Sequence, residues 1–149
     1  MENSSTQTQK DKGLHTILLV EDFDDTRLMM KLWLLRNGYR VIEADSGETA
    51  IKLAGSEQPD LIIMDMMMPG MNGLDATQRI REYQALQRTP IVAVSAYGAD
   101  EYRSLALEAG CDEYISTPFE PRELATLIET LIAANQPSTP NVDSFESET

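Results

Sequence analysis

The segment LIIMDMMMPGMNG, residues 61–73, places a short apolar strand, an acidic residue and a turn in direct succession. Four consecutive apolar residues, 61–64, are typical of a strand that is buried on both faces of a parallel sheet. The Pro-Gly and Asn-Gly pairs that follow predict a loop immediately after Asp65. A buried strand, a loop and then a helix form the repeating unit of an α/β fold.

Strands and helices alternate on both sides of this segment. Apolar runs predict strands at 17–20, 39–44, 61–64, 91–94 and 113–116. Helical patterns are predicted at 24–36, 46–54, from the turn to about 85, 100–109 and 120–134. Five strands joined by five helices predict a doubly wound, five-stranded parallel sheet, since parallel strands need right-handed crossover connections.

Local patterns also predict helix caps and buried faces. We expect Asp24 and Ser46 to cap the first and second helices. In the first helix, Leu28, Leu32 and Leu35 lie along one face. The last helix carries a wider apolar stripe, formed by Leu124, Leu127, Ile128, Leu131 and Ile132.

Composition restricts the class of protein. The 149 residues include 25 acidic and 12 basic residues, for a formal charge of −13. Such acidity argues against nucleic-acid and anionic-membrane partners, which require basic surfaces. No apolar run of about 18 residues predicts a transmembrane helix, and one cysteine excludes an internal disulfide. We therefore expect a cytoplasmic protein with one domain, 15–134, between a disordered segment, 1–14, and a disordered acidic tail, 135–149.

Three carboxylates follow two of the predicted strands. Glu21 and Asp22 follow the first strand, and Asp65 ends the third. The carboxyl ends of parallel strands share one edge of the sheet, where α/β proteins place their functional sites. Three neighbouring carboxylates cannot all ionise without a cation, and Mg²⁺ prefers such oxygen ligands. The sequence predicts a Mg²⁺ site that prepares an aspartate for phosphoryl chemistry; the alternative is that these acids only cap the following helices.

Four motifs together carry a family resemblance. They are ILLVED at 17–22, DMMMPGMNG at 65–73, Ser95-Ala96, and AGCDEYI at 109–115. With these motifs the chain resembles the receiver domains of two-component response regulators over about residues 15–134. The resemblance implies a flavodoxin-like sheet with strand order 2-1-3-4-5.

The resemblance also implies a phosphorylation site. Asp65 matches the phosphoacceptor, which takes its phosphoryl group from a histidine kinase or a phosphotransfer protein. Asp22 matches a direct Mg²⁺ ligand, Glu21 an acid that acts through a metal-bound water, and the backbone carbonyl of Met67 a further ligand. The implied chemistry is in-line phosphoryl transfer, and the protein itself is not expected to be an enzyme acting on other substrates.

A switch is implied behind the phosphorylation site. Ser95 matches the hydroxyl that binds a phosphoryl oxygen, and Tyr114 matches the aromatic residue that turns inward behind it. The fourth helix, fifth strand and fifth helix, around Arg103 and Arg122, would then present an altered surface to a downstream protein partner.

Thr117 is the one departure from the family pattern at this site. Receiver domains usually carry lysine immediately before this proline, often across a cis peptide bond, whereas Thr117 brings no charge to the site. We expect neither Arg103 nor Arg122 to replace the lysine. Thr117 therefore favours an alternative, a pseudo-receiver that acts as a phosphorylation-independent interaction module. An aspartyl phosphatase is disfavoured, because Met67 stands where such an enzyme has its general acid.

Overall fold

The structure is a computed structural model that describes residues 15–136, apart from residues 97 and 99. Its strands are β1 (Thr16–Val20), β2 (Arg40–Ala44), β3 (Leu61–Asp65), β4 (Ile91–Ser95) and β5 (Glu113–Ser116). Its helices are α1 (Asp24–Arg36), α2 (Gly47–Glu57), α3 (Gly73–Arg81), α4 (Asp100–Ala109) and α5 (Pro121–Asn135), with a 3₁₀ turn at Gln84–Leu86. The predicted segment 1–14 and residues 137–149 of the predicted tail lie outside the described residues.

The five strands form one parallel sheet in the order β2-β1-β3-β4-β5, which confirms the predicted topology. The central strands β1, β3 and β4 are almost completely buried, as their continuous apolar sequences predict. The register places Leu18 between Ile42 and Ile62. Strands β1 and β3 are therefore direct neighbours, and their carboxyl ends lie side by side.

Each face of the sheet packs against its own layer of helices. Leu18 and Val20 contribute to a core with α2, α3 and α4, whereas Ile17 and Leu19 contribute to a core with α1 and α5. This division follows from the strand geometry, in which successive side chains point to opposite faces. Among the described residues, no helix combines the length and apolar character that a membrane crossing requires.

The face of α1 that carries Leu28, Leu32 and Leu35 is not the face that packs on the core. Leu28, Leu32 and Leu35 are 51%, 49% and 45% exposed, whereas Leu34 is fully buried. Apolar residues occur on nearly every side of this helix, so the i, i+4, i+7 pattern did not identify the face that packs. The residues of α1 in contact with the core are Met30, Trp33 and Leu34.

Helix starts agree with the sequence at α2 but not at α1. The Thr49 N–H donates to Ser46 Oγ at 3.2 Å, which confirms Ser46 as the cap of α2. At α1 the N-cap is Phe23, which makes no side-chain cap bond, so the prediction of Asp24 as the cap is wrong. Asp24 lies in the first helical turn, where the negative charge of its carboxylate interacts favourably with the positive end of the helix dipole.

Arg81 ties three segments together at the amino end of the sheet. Its guanidinium donates to the carbonyls of Gly110 at 2.9 Å and Leu86 at 2.7 Å, and it pairs with Asp112 at 3.0 Å. Asp112 also accepts the N–H of Ile91 at 2.8 Å. Helix α3 ends at Arg81, short of the predicted end near residue 85, and the chain turns at once to meet these contacts.

Candidate functional site

The three predicted acids converge at the carboxyl end of the sheet. Glu21 and Asp22 follow β1, and Asp65 is the last residue of the neighbouring strand β3. Each residue offers a carboxylate oxygen to a group whose atoms all lie within 4.8 Å of one another. The parallel topology therefore brings together residues that are more than forty positions apart in sequence.

Backbone N–H groups orient two of these carboxylates. The Phe23 N–H donates to Glu21 Oε2 at 3.1 Å, and the Met67 N–H donates to Asp65 Oδ1 at 3.0 Å. Gly73 is needed behind Asp65, because a Cβ at this position would lie 2.5 Å from the Asp65 carbonyl oxygen. The glycine of the Asn-Gly pair thus lets α3 begin directly against the end of β3.

Burial and mutual repulsion disfavour the charged forms of Glu21 and Asp65. Burial raises the pKa of Glu21 from 4.5 to about 7, the Phe23 N–H partly opposes this rise, and the charges of Asp65 and Asp22 add to it. Burial also raises the pKa of Asp65, against the effect of the Met67 N–H. Three carboxylates with no neighbouring positive charge among the described cavity residues suit a divalent cation such as Mg²⁺, which would neutralise part of their negative charge.

A cavity of about 690 Å³ opens over the acidic cluster. Ser95 and Thr117 also line it, and so does Met67, which is 41% exposed. The apolar lining includes Phe23, Met29, Met30, Trp33, Val94, Phe119 and Leu124. None of the described residues that line the cavity is Lys, Arg or His.

Thr117 lines the same cavity as the three acids. Its N–H donates to the Ser95 carbonyl at 2.8 Å, and the Thr117-Pro118 peptide bond is cis. Ser95 ends β4 and is 2% exposed. The structure thus places Ser95 and Thr117 in one cavity with the predicted acceptor and metal ligands.

Tyr114 is not among the described residues that line this cavity. Its side chain is buried and packs edge-on against Tyr102, with ring centroids 6.2 Å apart. The Tyr102 hydroxyl donates to the Met66 carbonyl at 3.4 Å, next to Asp65. Sequence reasoning missed Tyr102, because an aromatic residue in a surface helix carries no distinguishing signal.

The two arginines considered as substitutes for the family lysine lie elsewhere. Arg103 donates to the Tyr114 carbonyl at 3.4 Å. Arg122 lines a separate groove with Glu113 and Glu123. Neither side chain lines the cavity above Asp65.

Comparisons with known proteins agree with this fold. The family model of the response regulator receiver domain matches residues 17–129. The transcriptional regulatory protein ResD of Bacillus subtilis is 38% identical over 116 residues, which cover 78% of this chain and 47% of ResD. SrrA of Staphylococcus aureus is 34% identical over 123 residues, which cover 83% of this chain and 50% of SrrA. The chain thus spans about half the length of these relatives.

Solved structures show the same architecture. A putative response regulator from Chloroflexus aurantiacus is 34% identical with a TM-score of 0.76, and the match covers 80% of this chain and 98% of that one. The receiver domain of the sensor histidine kinase PA1611 from Pseudomonas aeruginosa is 33% identical with a TM-score of 0.75 and the same coverage. That structure has a magnesium ion coordinated in its active-site cleft. By sequence and fold, this chain belongs to the response regulator receiver domain family.

Proposed function

We propose that this receiver domain accepts a phosphoryl group on Asp65 in a Mg²⁺-dependent reaction and transmits the change to a partner-binding surface. One observation carries the proposal. The oxygens of Glu21, Asp22 and Asp65 lie within 4.8 Å of one another beneath a cavity that Ser95 also lines. The residues that would hold Mg²⁺ are the three acids and the backbone carbonyl of Met67.

The chemistry assigns a distinct task to each residue. A carboxylate oxygen of Asp65 attacks the phosphorus of the donor; a P–O bond forms while the donor's P–N bond breaks and its imidazole leaves. The Met67 N–H fixes the orientation of Asp65 through Oδ1. When bound, Mg²⁺ supplies positive charge against the phosphoryl oxygens. The Ser95 hydroxyl would donate to one of those oxygens.

The proposed output surface includes α4, β5 and α5. Thr117 and Ser95 are joined by a backbone hydrogen bond of 2.8 Å, so a shift at Ser95 reaches the end of β5 directly. Tyr114 lies two positions before Ser116, the last residue of that strand, and Arg103 holds its carbonyl. We propose that phosphorylation moves Tyr114 relative to Tyr102 and changes this surface for a downstream protein.

The phosphodonor is proposed to be a histidine kinase or a phosphotransfer protein that contacts α1. Phe23 and Met29 line the cavity and are 61% and 69% exposed. Leu28, Leu32 and Leu35 continue this exposed apolar surface along the helix. An apolar patch beside a reactive cavity is typical of a protein-docking surface.

The chain has about twice as many acidic as basic residues. A formal charge of −13 favours protein partners over nucleic acid or membrane, and we propose a cytoplasmic signalling domain that is not an enzyme on other substrates. ResD and SrrA are transcriptional regulators that are about twice as long as their matched segments.

A second function remains supported by one feature. The described residues that line the cavity include no basic side chain, and Thr117 occupies the usual lysine position. A receiver fold with a weakened phosphoryl site can serve as a phosphorylation-independent interaction module.

Incubation with phosphoramidate and Mg²⁺, followed by intact-mass measurement and peptide mapping, separates the two functions. We expect one added phosphoryl group, mapped to Asp65. Absence of an adduct, under conditions that label another receiver domain, would favour the interaction module. A label on a different residue would contradict the role of Asp65.

A further inference from the structure

We propose that Arg27 is a positioning residue that holds the backbone of the Glu21–Asp22 pair in the geometry required for Mg²⁺ and phosphoryl transfer. The inference rests on the proposed function and extends it to a residue outside the cavity. Its basis is a set of contacts that join the acidic loop to the first helix and to the edge of the sheet.

The guanidinium of Arg27 donates to acceptors in the acidic loop, in its own helix and in strand β2. Nη1 donates to the Glu21 carbonyl at 2.8 Å, Nη2 to Asp24 Oδ1 at 2.8 Å, and Nε to Glu43 Oε1 at 3.2 Å. The side chain is only 17% exposed. The planar fork of arginine can hold several acceptors at once, which the point charge of lysine cannot do equally well.

The hydrogen bond from Arg27 to Glu21 positions the backbone of Glu21 and does not neutralise its carboxylate. Arg27 meets the carbonyl oxygen of Glu21, whereas its charge is balanced by the carboxylates of Asp24 and Glu43. Glu43 is held in turn by Lys31, whose Nζ lies 3.0 Å from Oε2. Lys31 first and Arg27 second lower the pKa of Glu43, so the anchor on β2 is a stable anion.

The acidic loop needs such an anchor. Three carboxylates within 4.8 Å repel one another before a cation binds, and that repulsion favours movement of residues 21–23 away from Asp65. The bond from Arg27 to the Glu21 carbonyl resists this movement and links the loop, through Glu43, to strand β2. Outer contacts of this kind orient metal ligands and change metal affinity by roughly 10–100-fold when removed.

The test compares Arg27→Gln and Arg27→Lys with the control Lys31→Gln in the full chain. Lys31→Gln removes the other cation from Glu43 but leaves the Glu21 carbonyl bond intact. Binding of Mg²⁺ alone is followed by the fluorescence of Trp33, which lines the cavity. Amide NMR spectra without Mg²⁺ report the position of residues 21–23, and thermal melting reports stability.

We expect Arg27→Gln to weaken Mg²⁺ binding by about 10–100-fold. Arg27→Lys should restore part of this loss, and Lys31→Gln should leave the affinity near that of the wild type. The metal-free amide signals of residues 21–23 should shift in Arg27→Gln and stay in place in Lys31→Gln.

Two results would overturn the inference. One is an Mg²⁺ affinity for Arg27→Gln within twofold of the wild type. The other is a loss of affinity that follows melting temperature equally in the Arg27 and Lys31 variants, which indicates a merely structural residue. Failure of the proposed function looks different, since wild-type protein would then bind Mg²⁺ with this dependence on Arg27 and yet accept no phosphoryl group.

Discussion

At the amino end of the sheet, Arg81 donates to two backbone carbonyls and pairs with Asp112, whereas at the carboxyl end three carboxylates lie within 4.8 Å of one another. The fold thus contains one cluster in which positive and negative side chains pair and one that consists only of acidic side chains. Within the described part of the chain, the cavity above the second cluster is lined by no basic residue.

This difference separates stability from function. Polar groups that satisfy one another hold segments in place, so removing one partner costs stability. Carboxylates that lack compensation cost stability themselves and remain available for a cation and for nucleophilic attack. Substitutions at the two ends should therefore have opposite effects on folding and on phosphorylation.

The largest expected effect is that substitution of Asp65 abolishes phosphorylation but not folding, whereas substitution of Asp112 lowers stability but not phosphorylation. Asp65→Asn should abolish phosphorylation by phosphoramidate and leave the metal-free fold intact, because the nucleophile is lost and one repulsive charge is removed. Asp112→Asn should retain phosphorylation and lower the melting temperature. Intact mass and thermal melting of both variants measure these effects; phosphorylation of Asp65→Asn to the wild-type extent would contradict them.

The next effect concerns Arg81 alone. Arg81→Met should lower the free energy of unfolding by about 2–3 kcal/mol, because hydrogen bonds to Leu86, Gly110 and Asp112 are lost together. Urea denaturation measures this change, and Arg79→Met on the same helix is the control. Equal stability of the two variants would show that the amino-end cluster contributes little.

A pH dependence should distinguish the acidic end. Since burial raises the pKa of Glu21 to about 7, Mg²⁺ must displace a proton below that pH, and its affinity should fall as the pH drops from 8 to 6. Isothermal titration calorimetry in buffers of different ionisation enthalpy detects the released proton. Glu21→Gln should flatten the dependence; an unchanged slope in that variant would assign the proton to another group.

Ionisation of Glu21 should also make the metal-free protein less stable as the pH rises. The pKa of Glu21 is higher in the folded chain than its ordinary value of 4.5. Its contribution to stability is therefore complete below pH 4.5 and is lost as the pH rises through 7. Urea denaturation without Mg²⁺ at pH 5 and pH 8 measures the free energy of unfolding of the wild type and of Glu21→Gln. Between these two pH values, the wild type should lose more of this free energy than the variant. Equal losses would contradict the assignment to Glu21.

The smallest expected effect comes from restoring a charge at Thr117. Thr117→Lys places an ammonium group in the cavity, and it should stabilise the metal-free protein by about 0.5–1 kcal/mol, since exposed ion pairs contribute little more. The variant should also depend less steeply on Mg²⁺ for phosphorylation. Thr130→Lys, on an exposed part of α5, is the control; equal gains in both variants would show only a general effect of charge.

Sequence patterns predicted the sheet and the acidic cluster for the same physical reason. Buried parallel strands are short apolar runs, and residues that end such strands must meet at one edge. The orientation of α1 was not predictable in this way, because Met30, Trp33 and Leu34 compete with Leu28, Leu32 and Leu35 for the core. Packing against β1 and β2 decides between the two faces, and a single sequence does not contain that contact.

The arginine contacts also lay beyond sequence reasoning. Arg27 and Arg81 both bind backbone carbonyls, which every residue carries, so no pattern of side chains marks the acceptor. Thr117 shows the converse. Its departure from the family pattern was readable from one residue, and the structure places it in the cavity with the acidic residues.

The most direct test is the rate at which wild-type protein is phosphorylated by phosphoramidate, followed by intact mass with Mg²⁺ and with a chelator. We predict rapid addition of one phosphoryl group at Asp65 with Mg²⁺ and almost none after chelation, because no basic side chain among the described cavity residues can replace the cation. Equal rates under both conditions, or no addition under either, would contradict a Mg²⁺-dependent phosphoacceptor at the carboxyl end of the sheet.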